Sequence, residues 1–273
     1  MTALGTAEFW DTFHGREHTE WYLPVDVVVR EVLLVYTELA ARLAARWSGG
    51  GGGQGGEHHA FRKRPRILHP GCGSSTLGVV LQQEHGCDVV NADFSEGVME
   101  SMRARYPDCD FRYSDARDAR NFPSGSFDIA VDKGLFDSVT ARTEGRKEAA
   151  NALLGEAARV LSTGGKYMLF SAFGNDGLGH KDMADMLSHP GFGGEVQIRV
   201  LDTPPLEYPD QTSSYLYVLT KVDDGAAAVG VDAGGQGSCH GAGKGDGGAS
   251  SSSPPPTSGC SSSLSCAPQQ TAP

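Results

Sequence analysis

The 273-residue sequence lacks features that mark several other protein classes. No apolar run approaches the ~20 residues that cross a bilayer, which argues against a membrane protein. Basic residues are in the minority, with 23 Lys and Arg against 34 Asp and Glu, and the net charge of -11 argues against nucleic-acid binding. The start MTALGTAEFW has no targeting pattern, and the six cysteines have no paired spacing. We therefore expect a reducing, cytoplasmic compartment and no disulfide framework.

Composition divides the chain into four parts. Residues 1–47 contain an aromatic segment and then a helical pattern, and residues 48–60 form a glycine-rich insert that we expect to be flexible. Residues 61–222 have the mixed composition of a folded core. Residues 223–273 have no aromatic residue and are rich in Gly, Ala, Ser and Pro, so we expect a disordered tail. The sequence thus predicts a single folded domain of about 210 residues.

Within residues 61–222, short apolar runs alternate with amphipathic segments. The runs predict seven strands, at residues 66–69, 88–92, 110–114, 127–131, 166–171, 195–200 and 214–221. Helical spacing predicts three helices in this part, at residues 75–84, directly after Ser95, and at residues 144–161. It predicts a fourth helix before this part, at residues 24–47. Strands that alternate with helices form a mostly parallel sheet covered on both faces. We therefore predict an α/β, Rossmann-like, doubly wound fold with a seven-stranded sheet.

A pair of glycines follows the first predicted strand, in His69-Pro70-Gly71-Cys72-Gly73-Ser74-Ser75. Glycines at this spacing allow the backbone to turn sharply and to approach a ligand closely. A dinucleotide fingerprint has Gly or Ala three residues after Gly73, where this chain has Thr76. The Gly-Lys-Ser/Thr of a P-loop is also absent. The loop therefore predicts a turn that binds a ligand but is neither a dinucleotide fingerprint nor a P-loop.

Acidic residues follow three of the predicted strands. Asp93 lies 20 residues after Gly73, a spacing that places a carboxylate beside the glycine loop, where it can accept from both hydroxyls of a ribose. Asp115 and Asp132 end the third and fourth strands. Because the carboxyl ends of parallel strands share one edge, these acids predict one ligand crevice.

Seven motifs in order along residues 8–222 carry a family resemblance. They are Phe9-Trp10-Asp11, Glu20-Trp21-Tyr22, Gly71-Cys72-Gly73-Ser74-Ser75, Asn91-Ala92-Asp93-Phe94-Ser95, Phe122-Pro123-Ser124-Gly125-Ser126-Phe127-Asp128, Val131-Asp132-Lys133-Gly134-Leu135-Phe136-Asp137, and Arg159-Val160-Leu161 with Gly164-Gly165-Lys166-Tyr167. The set resembles class I S-adenosylmethionine-dependent methyltransferases. More narrowly, it is similar to the group that includes the lysine methyltransferases of elongation factor 1-alpha and of citrate synthase.

The resemblance implies S-adenosylmethionine as cofactor and ten contact residues. On the nucleoside side, Asp93 would hold the ribose, Phe94 would lie against adenine, and Asp115 would take the adenine amino group beside the Ala116 backbone. The residues implied around the methionine part are Gly71 and Gly73 beneath it, Lys133 from the fourth strand, and Trp10, His14 and Trp21 closing over it. The chain departs from the family at His69, where most members have Asp or Glu, and at Leu135, where the group has Thr.

The resemblance also implies a methyl acceptor, an accessible lysine on a protein such as a translation elongation factor. A lysine amine must lose its proton before it attacks, and an apolar slot favours that loss. Trp21, Tyr22 and Phe136 are candidates for its lining, and Asp132 is the candidate catalytic residue, to orient the amine or to support the cofactor.

Other interpretations remain open. They are a small-molecule methyltransferase, a catalytically silent binding scaffold with the same fold, and a nucleotide-dependent oxidoreductase, which Thr76 disfavours. His58-His59 and the cysteines of the tail fit no closed tetrahedral zinc site, so we expect no metal. We expect His69 to be a hydrogen-bonded structural histidine.

Overall fold

The computed structural model describes residues 20–48, 64–141, 144–174, 183–206 and 212–223. The six helices described there are α1 (Val25–Ser48), α2 (Leu77–Gln83), α3 (Glu96–Arg105), α4 (Leu135–Thr140), α5 (Arg146–Val160) and α6 (Met183–Leu187). The seven strands are β1 (Arg66–Pro70), β2 (Asp88–Asp93), β3 (Asp110–Tyr113), β4 (Phe127–Lys133), β5 (Leu161–Ser171), β6 (Phe192–Leu201) and β7 (Ser214–Lys221).

The strands form one sheet in the order β3-β2-β1-β4-β5-β7-β6. Strands β1 to β5 are parallel to one another, and β7 is antiparallel to both β5 and β6. The predicted mostly parallel, seven-stranded α/β sheet is therefore confirmed. The strand order reverses between β1 and β4, and open α/β sheets bind ligands at the carboxyl edge of such a switch point.

The core lies on the two faces of this sheet, because neighbouring residues of a strand point to opposite sides. Ile129 and Val131 of β4 belong to the apolar cluster that α1 and α2 cover. Ala130, between them, belongs to the cluster on the other face, with Leu153 and Leu154 of α5. The same alternation separates the next two residues of β4, Asp132 and Lys133, which matters for the site.

Most predicted elements agree with the observed ones to within two or three residues. Helix α2 begins later than predicted, at Leu77, because Ser75 and Thr76 are held by Glu20. Helices α4 and α6 were not predicted, since six and five residues are too few to show helical spacing. None of the helices in the described part of the chain combines the length and apolar character that a bilayer crossing requires.

Candidate functional site

The glycine loop after β1 has the left-handed backbone that its sequence predicts. Gly71 and Gly73 have φ of 61° and 50°, a region that favours glycine. A Cβ on Gly71 would lie 2.8 Å from Cδ1 of Leu135, so a larger residue there collides with α4. The loop is also tied to the second strand, since the Cys72 amide donates to the Ala92 carbonyl at 3.0 Å.

Asp93 joins the end of β2 to this loop. Its Oδ2 accepts from the Gly73 amide and its Oδ1 from the Ser95 amide, both at 2.9 Å. Ser95 in turn caps α3 by accepting from the Val98 amide at 3.3 Å. A carboxylate oxygen can accept more than one hydrogen bond, so the position of Asp93 fits contact with ribose hydroxyls.

The neighbouring strand end brings Asp115 and Ala116 to the same edge. Tyr113 is in register with Asp93, and the Ser114 amide donates to the Asp93 carbonyl at 2.9 Å. Ala116 lines a mainly apolar cavity together with Pro70 and Ala92. Phe94, Asp115 and Ala116 are all half-buried. Acceptor groups and apolar surface therefore lie at adjacent strand ends, and contact of these three residues with a nucleoside stays a prediction.

Asp115 has a partner that the sequence analysis did not include. The Arg117 guanidinium donates to both carboxylate oxygens, at 3.0 and 2.8 Å, and the Arg117 amide donates to Oδ1 at 2.9 Å. Burial alone would raise the pKa of Asp115, but these hydrogen bonds and the charge of Arg117 hold that pKa below its usual value. Asp115 is therefore an ionised acceptor of fixed orientation.

Lys133, which the resemblance places at the cofactor, binds two groups of the protein itself. Its Nζ donates to Oε2 of Glu20 at 2.8 Å and to the Trp21 carbonyl at 2.7 Å. The side chain is 2% exposed. The ammonium therefore binds the segment before α1, and a direct contact with the cofactor stays a prediction.

Glu20 is a site residue that the sequence analysis quoted only as part of a motif. Its Oε1 accepts from the amide and the hydroxyl of Thr76, both at 2.7 Å, and its Oε2 accepts from the Ser75 hydroxyl at 2.8 Å. Burial raises the pKa of Glu20. The Lys133 charge and the hydrogen bonds from Lys133 and Thr76 lower that pKa by more, so it lies below its usual value. The Glu-Trp-Tyr and Asp-Lys-Gly motifs therefore interlock in space.

Tyr22 completes this interlock. Its φ is 71°, unusual for a residue other than glycine, and the side chain is buried. A Cβ on Gly134 would lie 2.7 Å from Cδ2 of Tyr22, so the ring packs directly on that glycine. Trp21 is half-buried, with its ring centroid 5.4 Å from that of Tyr22. Trp10 and His14 lie outside the described residues, and their predicted contacts stay predictions.

Asp132, the predicted catalytic residue, lies at the end of β4 beside the start of α4. Its side chain faces away from Lys133 and is fully buried, accepting from the Leu135 amide at 2.8 Å, from the Phe136 amide and from the Tyr167 hydroxyl. Burial raises its pKa to about 7, against the opposing effect of these hydrogen bonds. These contacts anchor the start of α4, and the catalytic role of Asp132 toward an acceptor amine stays a prediction. Support of the cofactor through α4 stays a prediction.

His69 is buried, as expected of a structural histidine. Its Nδ1 lies 3.2 Å from Oδ1 of Asn91. The Asn91 amide nitrogen donates to the Asp110 carbonyl at 3.3 Å, so Oδ1 is the atom that faces His69 and accepts from it. Among the described residues, no group of three His, Cys, Asp or Glu side chains is placed to hold a metal ion.

Comparisons with known proteins relate part of this chain to methyltransferases. Residues 68–169 match the family described as a methyltransferase domain. The chain is 30% identical over 176 residues to the human "eEF1A lysine and N-terminal methyltransferase", covering 62% of this chain and 22% of that protein. The Danio rerio protein of the same name is 35% identical over 172 residues, covering 60% and 21%.

A shorter relative matches over a smaller region. The Bos taurus "EEF1A lysine methyltransferase 4" is 36% identical over 119 residues, covering 40% of this chain and 46% of that protein. The chain therefore spans less than half the length of each of these three relatives.

Proposed function

We propose that this chain, which belongs to the class I S-adenosylmethionine-dependent methyltransferases, transfers a methyl group from that cofactor to a lysine side chain of a protein. The observation that carries the proposal is the bond from the Gly73 amide to Asp93, which unites the glycine loop with the tip of β2. S-adenosylmethionine supplies an electrophilic methyl group on a sulfonium.

Different residues bind the two ends of S-adenosylmethionine, the methionine part and the adenosine part. In this proposal Gly71 and Gly73 pass beneath the methionine part, and Asp93 accepts from the ribose hydroxyls. Phe94 lies against adenine, while Asp115 and the Ala116 backbone contact its edge. Positioning of this kind supplies ~7–11 kcal/mol of a bimolecular barrier without a covalent intermediate.

A lysine acceptor is supported by the relatives, since both names specify lysine methylation of eEF1A and one of them also specifies N-terminal methylation. The net charge of -11 favours encounter with a basic protein surface, as a long-range effect. Trp21 is half-buried, and in this proposal its ring lines the acceptor slot. Tyr22 and Phe136, also predicted for that lining, are 2% and 0% exposed. Both side chains pack inside the protein, and their place in the lining stays a prediction.

The direct test incubates the full chain with methyl-labelled S-adenosylmethionine and purified elongation factor 1-alpha. We expect label on the factor, located on lysine by mass spectrometry, and no label when the lysines of the factor are acetylated beforehand. Label found only on small molecules of a cell extract would favour the small-molecule alternative.

Asp93→Ala tests the donor site itself. Loss of the carboxylate removes the ribose acceptor and frees the Gly73 amide, so we expect binding of S-adenosylhomocysteine to weaken by about tenfold or more, or ~1.4 kcal/mol. Isothermal titration measures this. The matched control is Asp118→Ala, which removes an exposed carboxylate paired with Arg120 and should leave binding unchanged. Wild-type protein that binds no S-adenosylhomocysteine would indicate a silent scaffold.

A further inference from the structure

We infer that Glu20 is a positioning residue for the methyl-donor site: its carboxylate fastens the segment before α1 onto the glycine loop and Lys133, and this fastening sets how tightly the donor binds. The inference rests on the proposed function and adds to it a residue that contacts neither donor nor acceptor. We call the contacts of Glu20 with Ser75, Thr76 and Lys133 the Glu20 latch.

The latch joins three stretches that are far apart in sequence. Glu20 lies 55 and 56 residues before Ser75 and Thr76, and 113 residues before Lys133. Its two carboxylate oxygens accept four hydrogen bonds, of 2.7, 2.7, 2.8 and 2.8 Å, from these three residues. Charge-assisted hydrogen bonds of this length are the strong ones, so the segment is held firmly at this point.

Burial makes the latch costly to break. The side chain of Lys133 is 2% exposed and that of Glu20 is 18% exposed, so neither charge is freely hydrated. Removal of the carboxylate leaves the Lys133 ammonium buried beside the Trp21 carbonyl without its counter-charge. An uncompensated buried charge is strongly unfavourable, so the surrounding segment must rearrange to hydrate it.

The rearrangement would act on the donor site through the glycine loop. Thr76 precedes α2 without a side-chain cap of its own, and its amide donates to Glu20 instead. Ser75 donates to Glu20 and accepts from the Leu77 amide at 3.2 Å. These residues follow Gly73, whose amide binds Asp93. Loss of Glu20 therefore loosens the loop two residues from the proposed donor contact.

The latch also places the aromatic pair next to the site. Lys133 holds the Trp21 carbonyl, and the Leu206 amide donates to the Tyr22 carbonyl at 2.7 Å. Both contacts fix the backbone that carries the Trp21 ring. The same latch thus sets the loop and the aromatic segment together.

The test compares Glu20→Ala and Glu20→Gln with wild type in the full chain. We expect the Kd for S-adenosylhomocysteine to rise by about tenfold or more in Glu20→Ala, and to rise less in Glu20→Gln, which keeps an acceptor oxygen for Thr76. In turnover assays, the KM for S-adenosylmethionine should rise more than the KM for the protein acceptor, because the latch holds the glycine loop directly and the Trp21 ring only through its backbone. A general loss of stability would not produce this split.

The matched control is Glu31→Gln. Glu31 is also buried and ion-paired, with Arg199 at 2.6 Å, but it lies on α1 and contacts no residue of the latch. We expect its Kd for S-adenosylhomocysteine to equal that of wild type. An equal weakening in Glu31→Gln and Glu20→Ala would overturn the inference, because any lost buried pair would then suffice. Wild-type affinity in Glu20→Ala would also overturn it.

Hydrogen exchange separates this inference from the proposed function. The Thr76 amide donates to Glu20, so its protection should fall in Glu20→Ala and persist in Glu31→Gln, with no ligand present. If wild-type protein binds no S-adenosylhomocysteine, the proposed function fails, and so does the effect on donor affinity. Lost protection at Thr76 in Glu20→Ala would then still establish the latch as a structural contact. Unchanged protection would show that the latch does not hold Thr76 either.

Discussion

At the scale of single residues, burial decides the charge of His69. The side chain is 1% exposed at the end of β1. Burial, and then the charge of Lys133, lower its pKa to about 4, although Asn91 and Glu20 act in the opposite direction. The imidazole is therefore neutral near neutral pH. Glu20 and Lys133 pair with each other without a third charge from His69.

This pKa predicts a pH dependence of folding stability. A lowered pKa means that the unfolded chain binds a proton on His69 before the folded protein does. The stabilisation is complete above about pH 6.5, and it is lost as the pH falls toward about 4. We therefore expect the unfolding free energy of wild type, relative to His69→Gln, to be about 1.4 kcal/mol smaller at about pH 5.5 than at about pH 7.5.

Urea denaturation at the two pH values measures this difference. The comparison with His69→Gln is needed because burial raises the pKa values of Asp132 and Asp137 to about 7 and about 6. Those two acids lose stabilisation as the pH rises, which is the opposite direction, and both proteins share them. His85→Gln, at an exposed histidine, is the control and should reproduce the wild-type profile. A constant difference between wild type and His69→Gln would contradict the assignment.

At the scale of elements, α4 shows what local sequence does not determine. Asp132 accepts from the first two amides of α4, and Asp137 accepts from the Ser171 hydroxyl and the Ala172 amide of the β5 end. These anchors hold a six-residue helix that would not form alone. The Asp-Lys-Gly-Leu-Phe-Asp motif was visible in the sequence. Its function as a helix anchor was not, because the partners Tyr167, Ser171 and Tyr22 are distant in the chain.

Gly134, the residue directly before α4, packs against the Tyr22 ring and has no room for a side chain. Its φ is 84°, and an added Cβ would lie 2.7 Å from Cδ2 of Tyr22. Gly145, which begins α5, has φ of 73° but nothing within 4 Å of an added Cβ. Both alanine variants bear the backbone cost of a left-handed residue, ~1–2 kcal/mol. Gly134→Ala should lose an additional ~1–3 kcal/mol, because the Tyr22 ring must move.

Denaturation of the two variants under identical conditions gives the difference directly. Movement of Tyr22 should also weaken S-adenosylhomocysteine binding in Gly134→Ala, whereas Gly145→Ala should bind as wild type does. Equal stability of the two variants would show that the Tyr22 ring yields without cost, and that the interlock is weaker than its geometry indicates.

At the scale of the whole molecule, the sequence was sufficient for the sheet and insufficient for the interlock. Short apolar runs and strand-end acids depend on local pattern, and they predict seven strands and place Gly73, Asp93 and Asp115 at one edge. The partners of Lys133 and Asp132 depend on which face of β4 each side chain points to, and on what covers that face. Only the three-dimensional packing of residues 20–23 and Tyr167 supplies that information.

We predict that the folded core ends directly after β7. Strand β7 lies between β5 and β6 in the sheet, and the Val222 amide donates to the Gly191 carbonyl at 3.2 Å. The composition of residues 223–273 predicts no contribution to the core. A chain ending at Val222 should therefore keep its melting temperature within about 1 °C and its S-adenosylhomocysteine affinity within about twofold. A chain ending at Ser213 loses an interior strand and should not fold, which provides the positive control. A clearly lower melting temperature for the chain ending at Val222 would mean that later residues pack on the domain, since every sheet contact described is still present in that chain.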